Sequence, residues 1–231
     1  MSERVPHPQR LYFEHIERSL EAGMRWLDVG CGRKLVPEWL PDQSAIEARL
    51  TSRVGSMVGI DLDLAALHDN RSCAHRLMAA AAALPFADAS FDLVTSNMVF
   101  EHVEQPQAAL AEIRRVLRTG GRLIIHTPNL FDIVTVAARV IPNRLHPMLV
   151  SRIEGRAEED VYPTHFSFNR RSDIEASLSA TGFRQFGVEY LDHPNSYQRV
   201  PVVAHIEALW HHLARRVPSL RGTLLIEAEA G

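Results

Sequence analysis

The chain of 231 residues has only two cysteines, Cys31 and Cys73. They allow at most one disulfide, so the fold does not rest on a disulfide framework, and a reduced, cytoplasmic setting is expected. Long apolar runs are missing as well: nothing approaches the roughly twenty residues that a membrane span needs. The first residues, MSERVPHPQR, lack the apolar core of a signal peptide. Charge of one sign is scarce. The net charge is −3, which gives no field to recruit nucleic acid or an anionic membrane. The twelve histidines are scattered; His7 and the pair His211–His212 have no partners at zinc-ligand spacing, so no metal is expected. There is no internal repeat and no low-complexity linker. Hydrophobic residues make up 46% and charged residues 23%, an ordinary composition for one α/β domain.

What is present centres on residues 26–32, WLDVGCG. Residues 26–29 read as a strand buried on both faces, a short apolar run closed by glycine. Gly30 and Gly32 let the chain turn sharply and approach a ligand, because no Cβ intervenes. A second run, residues 57–60, ends in Asp61. A carboxylate at that strand tip is placed to accept hydrogen bonds from two vicinal ribose hydroxyls. Together these make a nucleoside site at the carboxyl edge of a parallel sheet. The spacing is wrong for a dinucleotide, since Leu35 stands where G-x-G-x-x-G needs its last glycine. No G-x-x-x-x-G-K-[ST] loop exists to cradle phosphates, and a nicotinamide-dependent reductase is disfavoured on the same ground.

The stretch resembles the first motif of class I S-adenosylmethionine-dependent methyltransferases, and later segments follow in order: GIDLD at 59–63, LPF at 84–86, SFDLVTSNMVFEHV at 90–103 and EIRRVLRTGGRLIIHTPN at 112–129. The resemblance covers residues 26–129 well and the remainder loosely. It implies an α/β, Rossmann-like fold: a seven-stranded, mostly parallel sheet with helices on both faces and an antiparallel last strand. It implies a single domain over residues 1–231, with an N-terminal helix or flap at 1–24 and inserted segments at 130–168 and 195–220. The residues themselves place helices at 8–21, 45–54 (capped by Ser44), 63–70, 104–117, 130–141, 171–180 and 203–215. They place the third to seventh strands at 75–79, 91–96, 122–127, 184–191 and 223–227. The first helix either packs on the sheet edge or folds over the cofactor, with Tyr12 or Phe13 as the covering aromatic. Arg156 to Asp160 reads as a surface loop and His193 as a turn residue.

The cofactor implied is S-adenosyl-L-methionine. Gly30, Cys31 and Gly32 would lie against its amino-acid tail. Asp28 would meet the methionyl amine or else cap the glycine turn. Asp61, followed by Leu62, would hold the ribose or else cap the next helix. Asn97 and Met98 end the fourth strand beside the methionine moiety. Two departures stand out. Lys34 replaces a third glycine, pointing either to the cofactor carboxylate or to solvent. Ala80 stands where the family carries the carboxylate that accepts the adenine amino group, so adenine contact falls to the backbone at Ala83 and Leu84, unless Asp88 substitutes. A lost charge-assisted hydrogen bond is worth about 1.5–3 kcal/mol.

Methyl transfer from a sulfonium mainly needs alignment, and proximity can contribute about 7–11 kcal/mol. A hydroxyl acceptor also needs a base. Glu101 and His102 follow the fourth strand, where the methyl group should lie, and His102 is the first candidate base; the alternative is a brace for the loop. His165 is the second candidate. His126, inside the fifth strand, reads as a satisfied core histidine. The N-P-P-Y-type motif of amino-directed nucleic-acid methyltransferases is absent, with Ser96, Asn97, Met98 and Val99 in its place, so nucleic acid is not the expected partner. A small-molecule acceptor methylated at oxygen is expected. Phe131, Val134, Val136, Ile141 and Leu145 suggest that it is partly apolar, unless they are core. The rival is a binding or scaffold protein on the same fold that has lost catalysis, a reading motivated by Lys34 and Ala80.

Overall fold

The structure is a computed structural model that describes residues 6–133, 135–136, 163–192 and 201–231. Its strands are β1 (Arg25–Val29), β2 (Ser56–Asp61), β3 (His75–Met78), β4 (Phe91–Asn97), β5 (Leu117–Pro128), β6 (Phe183–Leu191) and β7 (Thr223–Ala230). The helices are α1 (Pro8–Ser19), α2 (Gln43–Thr51), α3 (Leu64–Asp69), α4 (Pro106–Val116), α5 (Arg171–Ala180) and α6 (Pro201–Arg216). The strands form one seven-stranded sheet in the order β3-β2-β1-β4-β5-β7-β6. All neighbours are parallel except β7, which runs antiparallel to both β5 and β6. This is the expected class I methyltransferase fold.

The alternation along β1 sorts the two faces. Trp26 faces one core with Tyr12, Phe13 and Ile16 of α1 and with Ile46 and Leu50 of α2. Leu27 and Val29 face the other, with Leu110 and Ile113 of α4 and with Ile174 and Leu178 of α5. Each such side chain contributes about 1.5–3 kcal/mol when fully buried. The order of the strands reverses between β1 and β4: the chain passes outward through β2 and β3 on one side and through β4 and β5 on the other. That reversal opens a crevice at the carboxyl ends of the strands. It brings the glycine turn after β1, Asp61 at the end of β2 and Asn97 at the end of β4 to one edge.

Several boundaries differ from those expected. Pro8 starts α1, and His7 caps it by accepting the Gln9 N–H on Nδ1 at 3.2 Å. Tyr12 and Phe13 are 1% and 2% exposed and pack in the core on the α1 side of the sheet. Helix α2 begins two residues early, because Asp42 adopts the left-handed conformation (φ 63°) and turns the chain there, and no side chain caps it. Ser44 therefore lies inside the helix. Asp63 caps α3 by accepting the Ala65 and Ala66 N–H groups. Strand β5 is twelve residues long because it absorbs the Gly120–Gly121 turn, and a register shift between Phe91 and Leu93 accommodates it. The expected helix over 130–141 runs past the described residues, and Val134, Ile141, Leu145, the 156–160 loop and His193 lie outside them. Of the apolar residues in that insertion that are described, Phe131 and Val136 are both exposed, by 39% and 43%.

Candidate cofactor and acceptor site

The glycine turn is fastened to the neighbouring strand. The N–H groups of Gly30 and Cys31 both donate to the Ile60 carbonyl, at 2.8 and 3.0 Å. The Gly32 N–H donates to Asp61 Oδ2 at 2.8 Å, and the Asp63 N–H donates to Asp61 Oδ1 at 2.9 Å. Asp61, and not Asp28, is therefore the carboxylate that caps the glycine turn, while Asp63 takes the helix-capping role. Both turn glycines have positive φ, 73° at Gly30 and 51° at Gly32. A Cβ on Gly30 would overlap the Val99 side chain, whereas a Cβ on Gly32 would meet nothing within 4 Å. The turn is thus packed at its first glycine and open at its second. Cys31 offers only its backbone: its sulfur is buried, and a Cβ on Gly59 would come within 2.7 Å of it and 2.6 Å of the Cys73 sulfur. Both are free thiols.

Asp28 is buried beneath α1. Trp26 Nε1–H donates to Thr95 Oγ1 at 2.7 Å, and the Thr95 hydroxyl donates to Asp28 Oδ1 at 2.6 Å. Burial pushes the Asp28 carboxyl up to about 7, against the lowering effect of the Thr95 hydrogen bond, and the charge of Asp61 adds to the rise. The Tyr12 hydroxyl is buried without a hydrogen-bond partner among the described residues. Burial first, and the Asp28 charge second, drive its pKa well above the ordinary tyrosine value.

At the tip of β4, Asn97 exchanges two amide hydrogen bonds with Gln9 of α1, at 3.2 and 2.9 Å. His126 Nδ1 meets the Asn97 Oδ1 at 2.9 Å, and His126 Nε2 meets the Thr223 hydroxyl at 3.0 Å. His126 is thus the satisfied core histidine that its strand position suggests. Met98 follows in the left-handed region, φ 55°, a conformation that costs a non-glycine residue energy and concentrates at functional sites.

The adenine side is less accommodating. The Leu84 N–H is taken by Glu112 Oε2 at 2.8 Å, and the Leu84 carbonyl by Arg115 at 2.9 Å. The Ala83 N–H goes to the Ala80 carbonyl at 3.0 Å. These backbone groups are already engaged. Asp88 does not substitute for the missing carboxylate, because it pairs with Arg115 at 2.8 Å. Leu62 and Met78 are 69% and 60% exposed at the ends of β2 and β3 and present apolar surface there. Lys34 pairs with Glu38 at the surface, which matches the solvent reading.

His102 lies in a 3-10 turn, Phe100–His102. Its Nδ1 meets the Pro163 carbonyl at 2.8 Å. A carbonyl only accepts, so Nδ1 carries the proton and Nε2 is the nitrogen that takes up another. Nε2 lies 3.9 Å from Glu101 Oε1. Glu101 is buried; its Oε2 accepts from the Thr127 hydroxyl at 3.1 Å, and Asn169 donates to the same hydroxyl at 2.9 Å. The His165 N–H donates to the Glu101 carbonyl at 2.7 Å. The structure therefore brings both candidate histidines to one place, with the His165 side chain exposed. Among the described residues no group of histidine, cysteine or acidic side chains could hold a metal, and no helix is long and apolar enough to cross a membrane.

A sheet reversal, an open glycine turn and a capping carboxylate meet at one edge of an α/β domain. Comparison with known proteins makes this more specific. Residues 27–125 match the family described as a methyltransferase domain. The chain is 42% identical over 101 residues to a malonyl-[acyl-carrier protein] O-methyltransferase of Hahella chejuensis, across 44% of this chain and 35% of that one. It is 32% identical over 156 residues to a ubiquinone biosynthesis O-methyltransferase of Xanthomonas oryzae, across 61% of each. The matches thus span from about a third to three fifths of these relatives. Among solved structures, the geranyl diphosphate C-methyltransferase of Streptomyces coelicolor superposes with a TM-score of 0.60 at 16% identity, over 96% of this chain and 77% of that one. The [4+2]-cyclase SpnF superposes with a TM-score of 0.58 at 18% identity, over 96% and 80%. Residues 27–125 are thus similar to a methyltransferase domain, and the sheet around them has the class I fold.

Proposed function

We propose that this chain transfers a methyl group from S-adenosylmethionine to a small-molecule acceptor, at oxygen, with His102 as the base. The observation that carries the reading is the contact between Asp61 and Gly32. It sets a carboxylate with spare lone pairs beside the turn glycine whose missing Cβ leaves open space. Asp61 would take the ribose hydroxyls, and Gly30 to Gly32 would underlie the amino-acid tail. Asp28, buried beneath α1, would meet the tail amine, and Leu62 and Met98 would line the nucleoside and methionine ends. The fit is good at ribose and tail and poor at the adenine amino group, where Ala80 and the engaged Leu84 peptide offer no acceptor.

The cofactor supplies an electrophilic methyl group on a positive sulfur. The protein removes the proton that the acceptor must lose. His102 Nε2 would take it from the acceptor hydroxyl, while the bound cofactor would supply the methyl group. Glu101 then faces the imidazolium. A positioned base of this kind is worth roughly 10²–10⁴ in rate. His165 is the second candidate for the same proton. The relatives named for O-methylation support oxygen as the acceptor atom. The exposed Phe131 and Val136 support an acceptor with an apolar part. The buried free thiols support a cytoplasmic setting.

A second reading keeps the fold and loses methyl transfer, as a binding protein or scaffold. Ala80 favours it, and the structural likeness to a cyclase shows that this architecture hosts other work. Titration calorimetry with S-adenosylhomocysteine and with NADH tests the cofactor claim: micromolar binding of the first and none of the second is expected. No heat at millimolar S-adenosylhomocysteine would move the chain to the scaffold reading. With a methylated acceptor in hand, His102→Ala should lower turnover about a hundredfold or more and leave cofactor affinity unchanged.

A further inference from the structure

Asn70 closes α3 and is wholly buried. An amide has two donors and two acceptor sites, and all four are used. Its Nδ2 donates to the Cys31 carbonyl at 3.1 Å and to the Gly32 carbonyl at 2.9 Å. Its Oδ1 accepts from the N–H groups of Ser72 at 2.9 Å and Cys73 at 3.1 Å. One side chain therefore joins the glycine turn to the loop that leads into β3. Nothing in the reaction chemistry requires this contact, and a polar residue at a helix end looks ordinary in the sequence.

Together with Asp61 and Ile60, it holds most of the backbone polar groups of the turn. The N–H groups of Gly30 and Cys31 go to Ile60, the N–H of Gly32 goes to Asp61, and the carbonyls of Cys31 and Gly32 go to Asn70. Gly32 is held at both its N–H and its carbonyl, so its left-handed peptide cannot rotate without breaking contacts on both sides. The direction of the two carbonyls matters as well. A peptide oxygen carries partial negative charge, and an anionic ligand group laid on the open side of Gly32 would be repelled by it. Asn70 draws both oxygens into the protein interior.

We infer that Asn70 is a positioning residue for the cofactor: by holding the Cys31 and Gly32 carbonyls inward, it shapes the backbone surface that receives the carboxylate-bearing tail. This rests on the proposed cofactor reading. It predicts a selective defect. The nucleoside half of the ligand is held by Asp61 and the apolar ends of β2 and β3, which Asn70 does not touch. The tail alone depends on the carbonyls.

The test compares two ligands that share the nucleoside and differ in the tail, S-adenosylhomocysteine and 5′-methylthioadenosine, by calorimetry on the full chain. Asn70→Asp keeps both acceptor sites and removes both donors. It should weaken S-adenosylhomocysteine about thirtyfold while methylthioadenosine changes by less than about threefold, as two lost hydrogen bonds imply. Asn70→Ser removes both amide N–H donors without adding charge; its hydroxyl can still accept from the following loop and can supply at most one donor in their place. It should show the same selectivity even if the aspartate variant fails to fold. Equal losses for both ligands, or none, would overturn the inference and leave the cofactor reading intact. If the wild-type chain binds neither ligand, both the inference and that reading fall.

Discussion

Asp61 accepts the Gly32 N–H at 2.8 Å across 29 residues of sequence, so the group proposed to hold the ribose is also the group that caps the turn under the tail. Removing it should cost on both counts. Asp61→Ala is expected to weaken S-adenosylhomocysteine at least about tenfold, with more loss than an exposed ligand contact alone would give, since a charge-assisted hydrogen bond is worth about 1.5–3 kcal/mol. Far-ultraviolet circular dichroism should stay unchanged. Unaltered affinity by calorimetry would take Asp61 out of the site.

The two turn glycines should fail differently. Alanine at either must adopt positive φ, which costs roughly 1–2 kcal/mol. At Gly30 the added methyl also overlaps Val99, whereas at Gly32 it projects into open space. Gly30→Ala should therefore lower the melting temperature by more than the roughly 3–8 °C that the backbone cost alone implies for a domain of this size, and adding Val99→Ala should recover part of that loss. Gly32→Ala should melt nearer the wild type and lose cofactor affinity instead. A Gly32→Ala protein that binds S-adenosylhomocysteine like the wild type would place the ligand elsewhere.

These contrasts mark what the sequence discloses. The apolar runs at 26–29 and 57–60, the paired glycines and Asp61 announce the strand tips because burial and backbone freedom leave local traces. The partners that finish the site leave none. Gln9 meets Asn97 across 88 residues, and Glu112 and Arg115 look like an ordinary exposed pair on α4 until they are seen to grip Leu84. Asn70 looks like a helix end. Ser44 looks like a cap, but the left-handed Asp42 sets the start of α2. Tyr12 and Phe13 fit a covering flap by pattern, but how deeply they are buried could not be read from that pattern.

The amide pair between Gln9 and Asn97 should be measurable as an energetic coupling. Asn97→Ala takes from Gln9 both its bonds and from His126 its Nδ1 contact, at about 1–3 kcal/mol for buried groups left short of partners. Gln9→Ala removes one side of the same pair. In a double-mutant cycle followed by urea unfolding, the coupling should fall at about 0.5–3 kcal/mol. Additive effects would mean that α1 is not fastened to the tip of β4 through these amides.

Asp28 supplies a prediction in pH. Its carboxyl is pushed up to about 7 by burial, by more than the Thr95 hydrogen bond lowers it, while in the unfolded chain it titrates near the ordinary carboxylate value. Between about pH 4 and 7 the folded state therefore holds a proton that the unfolded state has released. Folding stability from this group falls as pH rises through that window and stays lowered above it. Asp28→Asn keeps an acceptor for the Thr95 hydroxyl and cannot ionise. It should match the wild type near pH 4 and exceed it at pH 8 by about 2–4 kcal/mol, since each tenfold change in proton affinity on folding is worth about 1.4 kcal/mol. Ligand binding should move the other way. A tail ammonium favours ionised Asp28, so the affinity of the wild type for S-adenosylhomocysteine should climb between pH 6 and 8 with release of a proton, and that of Asp28→Asn should be weaker and flat. Melting curves and calorimetry in buffers of different ionisation enthalpy measure both. A stabilised variant that also binds with the wild-type pH profile would leave Asp28 a purely structural acid.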